Sequence, residues 1–392
     1  MTIPVKKIST FCKTGSGGTP SRSNNAFFEN GTIPWVKSGE LKNRYITEVE
    51  EYITDLAVEK SSAKLVSKGS LLIAMYGATV GEVSQLTFDA TTNQAICNIQ
   101  PDENVCDVNY LYRFLEASKP YLLSRRVGGG QPNISQGVIK DLVVPLPPLA
   151  EQRRIASILD QADELRQKRQ QAIEKLDQLL QAEFISKFYQ KNYPEFNVSN
   201  LLENEKSMRT GPFGSQLLHS EFVEEGIHVL GIDNAVQNSF NWAKPRFITE
   251  EKYKDLKRYT VKPKDVIITI MGTCGKCAVV PDDIPKAINT KHLCCITLDQ
   301  NKCNPEFLHS YFLLHPTARN YLDSRAKGAI MSGLNMGIIK DLPVELPPIE
   351  MQNEFSILKQ KIILQRSLME KKLSEINDLF SSLQNQAFNS TL

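Results

Sequence analysis

No stretch of the chain approaches the roughly 18 consecutive apolar residues that a membrane-spanning helix needs. The opening MTIPVKKISTF carries two lysines but no apolar run behind them, so a cytoplasmic protein is expected. Charge of one sign is equally scarce. The 46 basic and 44 acidic residues leave a net charge of +2, without the bulk positive field of a free-standing nucleic-acid binder. Catalytic signatures are missing as well: there is no G-x-x-x-x-G-K-[ST], no G-x-S-x-G and no H-E-x-x-H. The run Gly15 to Thr19 lacks the lysine of a phosphate cradle, and the Leu-Pro-Pro tripeptides have no preceding Asn, which an amino-methyltransferase site would have. No Pro-Asp with a downstream Asp/Glu-x-Lys marks a nuclease. The chain is expected to be no enzyme, with no catalytic residue of its own and any chemistry supplied by a partner.

What is present is a repeat. The 392 residues, 41% hydrophobic, suffice for two or three domains with full cores. GVIKDLVVPLPPLAEQ, Gly137 to Gln152, matches GIIKDLPVELPPIEMQ, Gly337 to Gln352, at ten of sixteen positions. Earlier segments follow in the same order: Gly15 with Gly211, the apolar run ending at Gly77 with that ending at Gly272, and Asn93 with Asn289. A period of about 200 residues means two whole domains, not a solenoid.

Each copy opens with short runs of branched apolar residues broken by glycine, such as Leu71 to Met75 and Val266 to Ile270, which read as strands. Helices are expected at Asn109 to Glu116 and Pro305 to Leu314, giving an α+β globule. Each globule closes on Leu-Pro-Pro, a rigid exit, and a long polar helix follows, with apolar residues at spacings of three and four. The expected division is globules at 1–147 and 193–347, and helices at 148–192 and 348–392. The two helices are expected to pair as an antiparallel coiled coil, a spacer and docking rod, with the second copy related to the first by a pseudo-twofold; the alternative is that each helix folds back onto its own globule. The residues marked for partner docking are Ile155, Leu159, Leu165, Leu176, Phe355, Leu358, Ile362 and Ile376.

Two similar globules joined to rigid rods suit an extended, repetitive ligand such as duplex DNA. Reading base edges takes Arg or Lys for guanine and Asn or Gln for adenine. In the first copy the candidates are Lys37, Ser38, Asn43, Arg44, Tyr76, Asn93, Gln94, Arg125, Arg126, Gln131 and Asn133. In the second they are Asn234 beside Asp233, then Lys276, Asn289, Lys291, His292, Arg325, Lys327 and Asn335. Arg125 and Arg126 flank the run Gly128 to Gly130, a setting suited to phosphate contact. A competing pattern is Cys274-x-x-Cys277 with His292, Cys294 and Cys295 downstream, a zinc-ribbon spacing. The first copy has Thr79 and Glu82 near the same bend, and adjacent strand residues face opposite sides, so buried reduced thiols are expected and no metal.

The twice-written I-K-D-L-x-V-x-L-P-P, with EQRRIASILD after the first copy and GPFGS at Gly211, is similar to the specificity subunit of Type I restriction-modification enzymes. The resemblance runs over essentially the whole chain. It implies two target-recognition domains, each reading part of a bipartite site in double-stranded DNA, and helices that dock two modification (methyltransferase) subunits, which restriction subunits join. Cofactors are then expected to be none in this chain, with S-adenosylmethionine, ATP and Mg bound by the partners. The second copy reads EMQNEFSILKQ where the first has AEQRRIASILD, so docking is expected to be asymmetric. Two other classes remain open: a stand-alone DNA-binding regulator and a zinc-dependent nucleic-acid enzyme.

Overall fold

The computed structural model describes residues 3–126, 133–326 and 333–388. The chain divides into two compact units, one formed by 1–170 with 371–392 and the other by 171–370.

In the first unit, Leu71–Ala74 is buried at every position and runs antiparallel between Ile96–Pro101 and Val83–Leu86. Strands buried on both faces read as continuous apolar runs rather than alternating ones. Cys12–Ser16 and Tyr45–Ile46 complete a five-stranded sheet. A second sheet of four strands centres on Ile33–Val36, which pairs in parallel with Ala90–Thr92 and antiparallel with Tyr52–Ile53. Helix Val108–Ala117 packs on the larger sheet, capped at its start by Asp107, whose carboxylate accepts from the amides of Asn109 and Tyr110.

The second unit repeats the scheme. Val266–Thr269 lies between Leu293–Ile296 and Cys277–Val279, Ile227–Leu230 pairs in parallel with Ala287–Asn289 and antiparallel with Phe247–Ile248, and helix Pro305–Leu314 is capped by Asn304. The pairings Ile73 with Val83 and Ile268 with Cys277 make Val83, rather than Glu82, the counterpart of Cys277. Likewise Thr92, not Asn93, stands where Asn289 stands, because Val36 pairs with Thr92 and Leu230 with Asn289. Gly17, not Gly15, matches Gly211: a side chain on Gly17 would strike the Thr92 and Asn93 carbonyls, and one on Gly211 the Asn289 carbonyl.

Each globule exits through Leu-Pro-Pro into an uninterrupted helix, Leu149–Phe188 and Ile349–Phe388, of 40 residues each, about 60 Å at 1.5 Å per residue. In the first unit, the core under the helix Val108–Ala117 is closed by Ile155, Ala156 and Leu159 and by Phe380 and Ala387. Arg166 there donates to Asn377 Oδ1 at 2.8 Å and lies over the Phe380 ring. In the second unit Phe184 packs edge-on against Phe355, Phe188 edge-on against Phe355 and Phe307, and Arg366 meets Asp177 at 3.3 Å. In each unit, therefore, the start of one long helix runs antiparallel to the end of the other, and the pair roofs the globule.

Candidate nucleic-acid interface

The junction between globule and rod is built the same way twice. Gln152, almost fully buried, accepts the Asp107 amide on Oε1 at 2.8 Å and donates from Nε2 to Pro147 O at 2.8 Å and Val105 O at 3.0 Å. Gln352 accepts the Asn304 amide at 2.8 Å and donates to Pro347 O at 2.8 Å and Lys302 O at 3.1 Å. One amide thus satisfies the residue that caps the globule's helix, the loop before it and the Pro-Pro exit, which no charged or apolar side chain of that size can do. This pair was present in the sequence motif but unmarked; its only signal was identity in both copies.

The surroundings of that junction differ in sign. In the first unit the globule supplies Arg113, buried, and Arg44, while the rod supplies Asp160 and Asp163; Arg113 Nε lies 2.7 Å from Asp160 and Nη1 lies 2.9 Å from Glu116 and 3.1 Å from Asp163. In the second unit the rod supplies the buried Lys359, 2.6 Å from Glu306 of the globule and 2.7 Å from His309 Nδ1. His309 Nε2 lies 3.0 Å from Asn238 O and 3.1 Å from Cys277 O. With the ammonium donating to Nδ1, the ring proton sits on Nε2, and burial followed by the Lys359 charge pushes the His309 pKa down to about 3.

Several sequence-marked readers are spent inside the fold. Arg44 is turned to Asp160 at 2.6 Å and Asn109 Oδ1 at 2.8 Å, between the Tyr45 and Tyr112 rings, and so serves the junction. Asn234 is buried, accepting from Gly231 N and donating to Asn241 O, both at 2.9 Å. Asn289 is fully buried and donates to Leu293 O at 3.0 Å. Asn234 and Asn289 thus brace a turn and a strand end, and Arg44 the junction. Of the docking set, Ile155, Leu159, Phe355 and Ile362 are buried in the chain's own packing, and Leu176, Leu358 and Ile376 are half-buried. Leu165 is exposed. Among the described residues of the rods, the exposed large apolar side chains are Leu165 with Ile158 and Leu379 in the first unit and Leu179, Ile357, Ile363, Leu364 and Leu368 in the second.

The remaining candidates stay near the surface. Lys37 is held by Glu50 at 2.7 Å and Glu51 at 2.9 Å, with Ser38 opening the turn after it. Asn43 is exposed, as is Tyr76, which bridges to Asn133. Asn93 Oδ1 accepts from Ala95 N, and exposed Gln94 accepts from Thr19 Oγ1. Arg125 lies over the Tyr121 ring, while Arg126 donates back to Leu123 O at 2.7 Å. Arg325 lies 3.8 Å from the centre of the Tyr321 ring. Asn335 caps the helix Met336–Lys340 by accepting from Ile338 N. Lys291 is exposed and Lys276 half-buried. Gln131 and Lys327 lie outside the described residues, as does the run Gly128 to Gly130.

His292 lines a cleft of about 890 Å³ in the second globule, with Asp233, Arg246, His219, Lys244 and Thr273 among its walls. Burial, then Lys291 and Arg246, lower the His292 pKa, so its ring is neutral at pH 7. Arg246, which the sequence reading did not single out, donates from Nη2 to Asp233 Oδ1. The cysteines do not converge on a metal site. Cys294 and Cys295 enter different apolar cores, burial pushes the Cys277 thiol up to about 12, and no group of three or more potential ligands forms among the described residues. No helix of the described residues is long and apolar enough to cross a membrane.

The sequence profile described as Type I restriction modification DNA specificity domain matches residues 2–175 and again 222–378. The specificity subunit of the Escherichia coli Type I restriction enzyme EcoR124I/EcoR124II is 31% identical over 168 residues, 42% of this chain and 41% of that subunit. That of MjaIX from Methanocaldococcus jannaschii is 26% identical over 378 residues, 91% of this chain and 86% of the relative. Among solved structures, the S subunit of a Type I restriction-modification system from M. genitalium superposes with a TM-score of 0.58 at 16% identity, covering 99% of this chain and 96% of that one. A chain from a study of complex assembly and conformational transition of the type I R-M system gives 0.64 at 14% identity, with full coverage of both. At these identities the structural likeness is one of fold.

Proposed function

The chain belongs to the Type I restriction modification DNA specificity family, and from that premise we propose that each of its two globules reads one half of a bipartite site in double-stranded DNA while the rods hold the partner subunits. The observation that carries this reading is the pattern of likeness between the copies. The Leu-Pro-Pro exit, the buried glutamine and the 40-residue helix recur, whereas the polar residues at the strand ends differ in kind and sign. A frame that repeats while its reading residues diverge is what two unlike half-sites require.

In this proposal the chain carries out no chemistry: methyltransferase subunits hold S-adenosylmethionine, and restriction subunits hold ATP and Mg. The exposed rod residues Leu165, Leu179, Leu364 and Leu368 are the contact points for the methyltransferase subunits, since large apolar side chains left in water along a helix mark an interaction face. The net charge of +2 fits a reader that grips DNA as part of such an assembly. Exchanging residues 1–145 for those of another specificity subunit, then sequencing the methylated sites, tests the reading: one half-site is expected to change and the other to stay. A change in both halves refutes independent readers, and tight sequence-specific binding by the isolated chain favours a stand-alone regulator.

A further inference from the structure

The two globules place a carboxylate-held cation at the same point of the fold but draw it from different strands. In the first, strand Ile33–Val36 ends at Lys37, whose ammonium is held by Glu50 and Glu51. Glu51 precedes the returning strand Tyr52–Ile53, and its carbonyl accepts from Trp35 N. In the second, strand Ile227–Leu230 ends at Gly231, and the residue before the returning strand Phe247–Ile248 is Arg246, whose carbonyl accepts from Val229 N. Lys37 therefore corresponds to Gly231, and Glu51 to Arg246. The acid that holds Arg246 is Asp233, from the turn after Gly231. A Cβ on Gly231 would stand 2.5 Å from the Arg246 guanidinium, so a side chain there would push the guanidinium from its present place. The cation has changed strands and kept its place.

Arg246 is also left with donors to spare. Asp233 takes Nη2 and Nε is buried in the wall, so the part of the guanidinium that a base could reach is the other terminal nitrogen with the second hydrogen of Nη2. The guanidinium lines the 890 Å³ cleft, together with the neutral His292 ring and Thr273. Phe222, Val223, Ile232 and Val236 make much of the remaining wall apolar. A guanidinium already neutralised by Asp233 has little pull on a phosphate, but its donors are held in a fixed plane. That suits the paired O6 and N7 acceptors of guanine in the major groove.

We propose that Arg246 reads a guanine in the half-site of the second globule, with Asp233 as its positioning residue. The inference rests on the DNA-reading function given above and adds the base and the residue. The test uses the full chain assembled with methyltransferase subunits, incubated with a duplex library degenerate in both half-sites and sequenced for methylated products. The wild-type assembly is expected to return a bipartite motif; failure to return one overturns the function itself rather than this assignment. With that motif in hand, Arg246→Ala is expected to lose guanine preference by roughly tenfold or more at a single position of one half-site, leaving all other positions intact. Asp233→Asn, which keeps the arginine, is expected to relax that same position less, and thermal melting checks that both variants fold. An unchanged motif, or a uniform weakening across all sequences as for a phosphate contact, overturns the proposal. A Asp233→Asn variant that shifts melting but not base preference reduces Asp233 to a structural partner and overturns its positioning role.

Discussion

Replacing Gln152 by alanine should loosen the first globule from its rod without touching any exposed residue. The substitution removes one acceptor and one donor group and leaves the Asp107 amide and the Val105 and Pro147 carbonyls without partners in a nearly water-free site. Each buried group left unsatisfied costs about 1–3 kcal/mol, and three of them share one cavity that can relax and admit water, so a total of about 3 kcal/mol is expected. For a unit of this size that is a fall of roughly 6–12 °C in melting temperature. Hydrogen exchange should show where the loss occurs: amides at the start of helix Val108–Ala117 and in the first turns of Leu149–Phe188 should lose protection together. Gln152→Glu keeps the shape but sets a carboxylate oxygen against two carbonyls. It is expected to be at least as damaging at pH 7 and to recover as the carboxyl protonates and regains a donor. A Gln152→Ala chain that melts within about 1 °C of the parent would refute the claim that this amide ties globule to rod.

Arg113→Leu removes the buried guanidinium from Glu116, Asp160 and Asp163, but Asp160 keeps Arg44 and Asp163 keeps Arg166. A loss of about 1.5–3 kcal/mol in urea titration is expected, the scale of hydrogen bonds to charged groups. His309 is neutral in the folded chain down to about pH 3 but protonates near pH 6.5 once unfolded. The unfolded state therefore binds more protons below pH 6.5, and stability should fall by about 1.4 kcal/mol per pH unit as acid is added. His309→Gln should flatten that slope in denaturation series between pH 6.5 and 4. Leu165→Asp and Leu364→Asp change exposed rod positions; melting should be unaltered, while co-purification with methyltransferase subunits should weaken. Removing one heptad from each rod helix should change the spacer of the methylated site and leave both half-sites intact, as read by methylome sequencing.

The rods and the exits were legible because their signals are local and redundant: Pro-Pro can continue neither helix nor strand, and apolar spacing persisted for 40 residues. The helix expected at Pro305 to Leu314 has those bounds because Asn304 and Pro305 mark its start. Polar residues were less legible because type does not tell direction. Asn234 and Asn289 have the side chain of an adenine reader, but each donates to a carbonyl of its own turn or strand end. Arg44 looked like a loop cation and is a junction residue. Arg246 escaped notice because its importance lies in Gly231 and Asp233, which only strand pairing brings beside it. The copies also differ in loop length, so Asn93 and Asn289, alike in sequence setting, stand one residue out of register, enough to turn a side chain to the opposite face.

Among the described residues, the cation and its acid trade places between the copies at the junction and at the strand end, with different consequences. At the junction, Arg113 of the globule faces Asp160 of the rod in one unit, while Glu306 of the globule faces Lys359 of the rod in the other. On the frame shared by Gln152 with Asp107 and Gln352 with Asn304, Lys359 stands where Leu159 stands and Glu306 where Asn109 stands. A globule moved onto the wrong rod would therefore leave the buried Lys359 without its carboxylate and Arg113 without Asp160, a penalty that favours the native pairing. At the strand end, Lys37 with Glu51 and Arg246 with Asp233 exchange which strand brings the cation, and nothing in the frame changes. The junction therefore constrains which globule belongs to which rod, whereas the strand end is free to vary within a fixed frame. On the proposal that the strand end reads DNA, recognition can diverge there while the junction keeps each globule on its own rod.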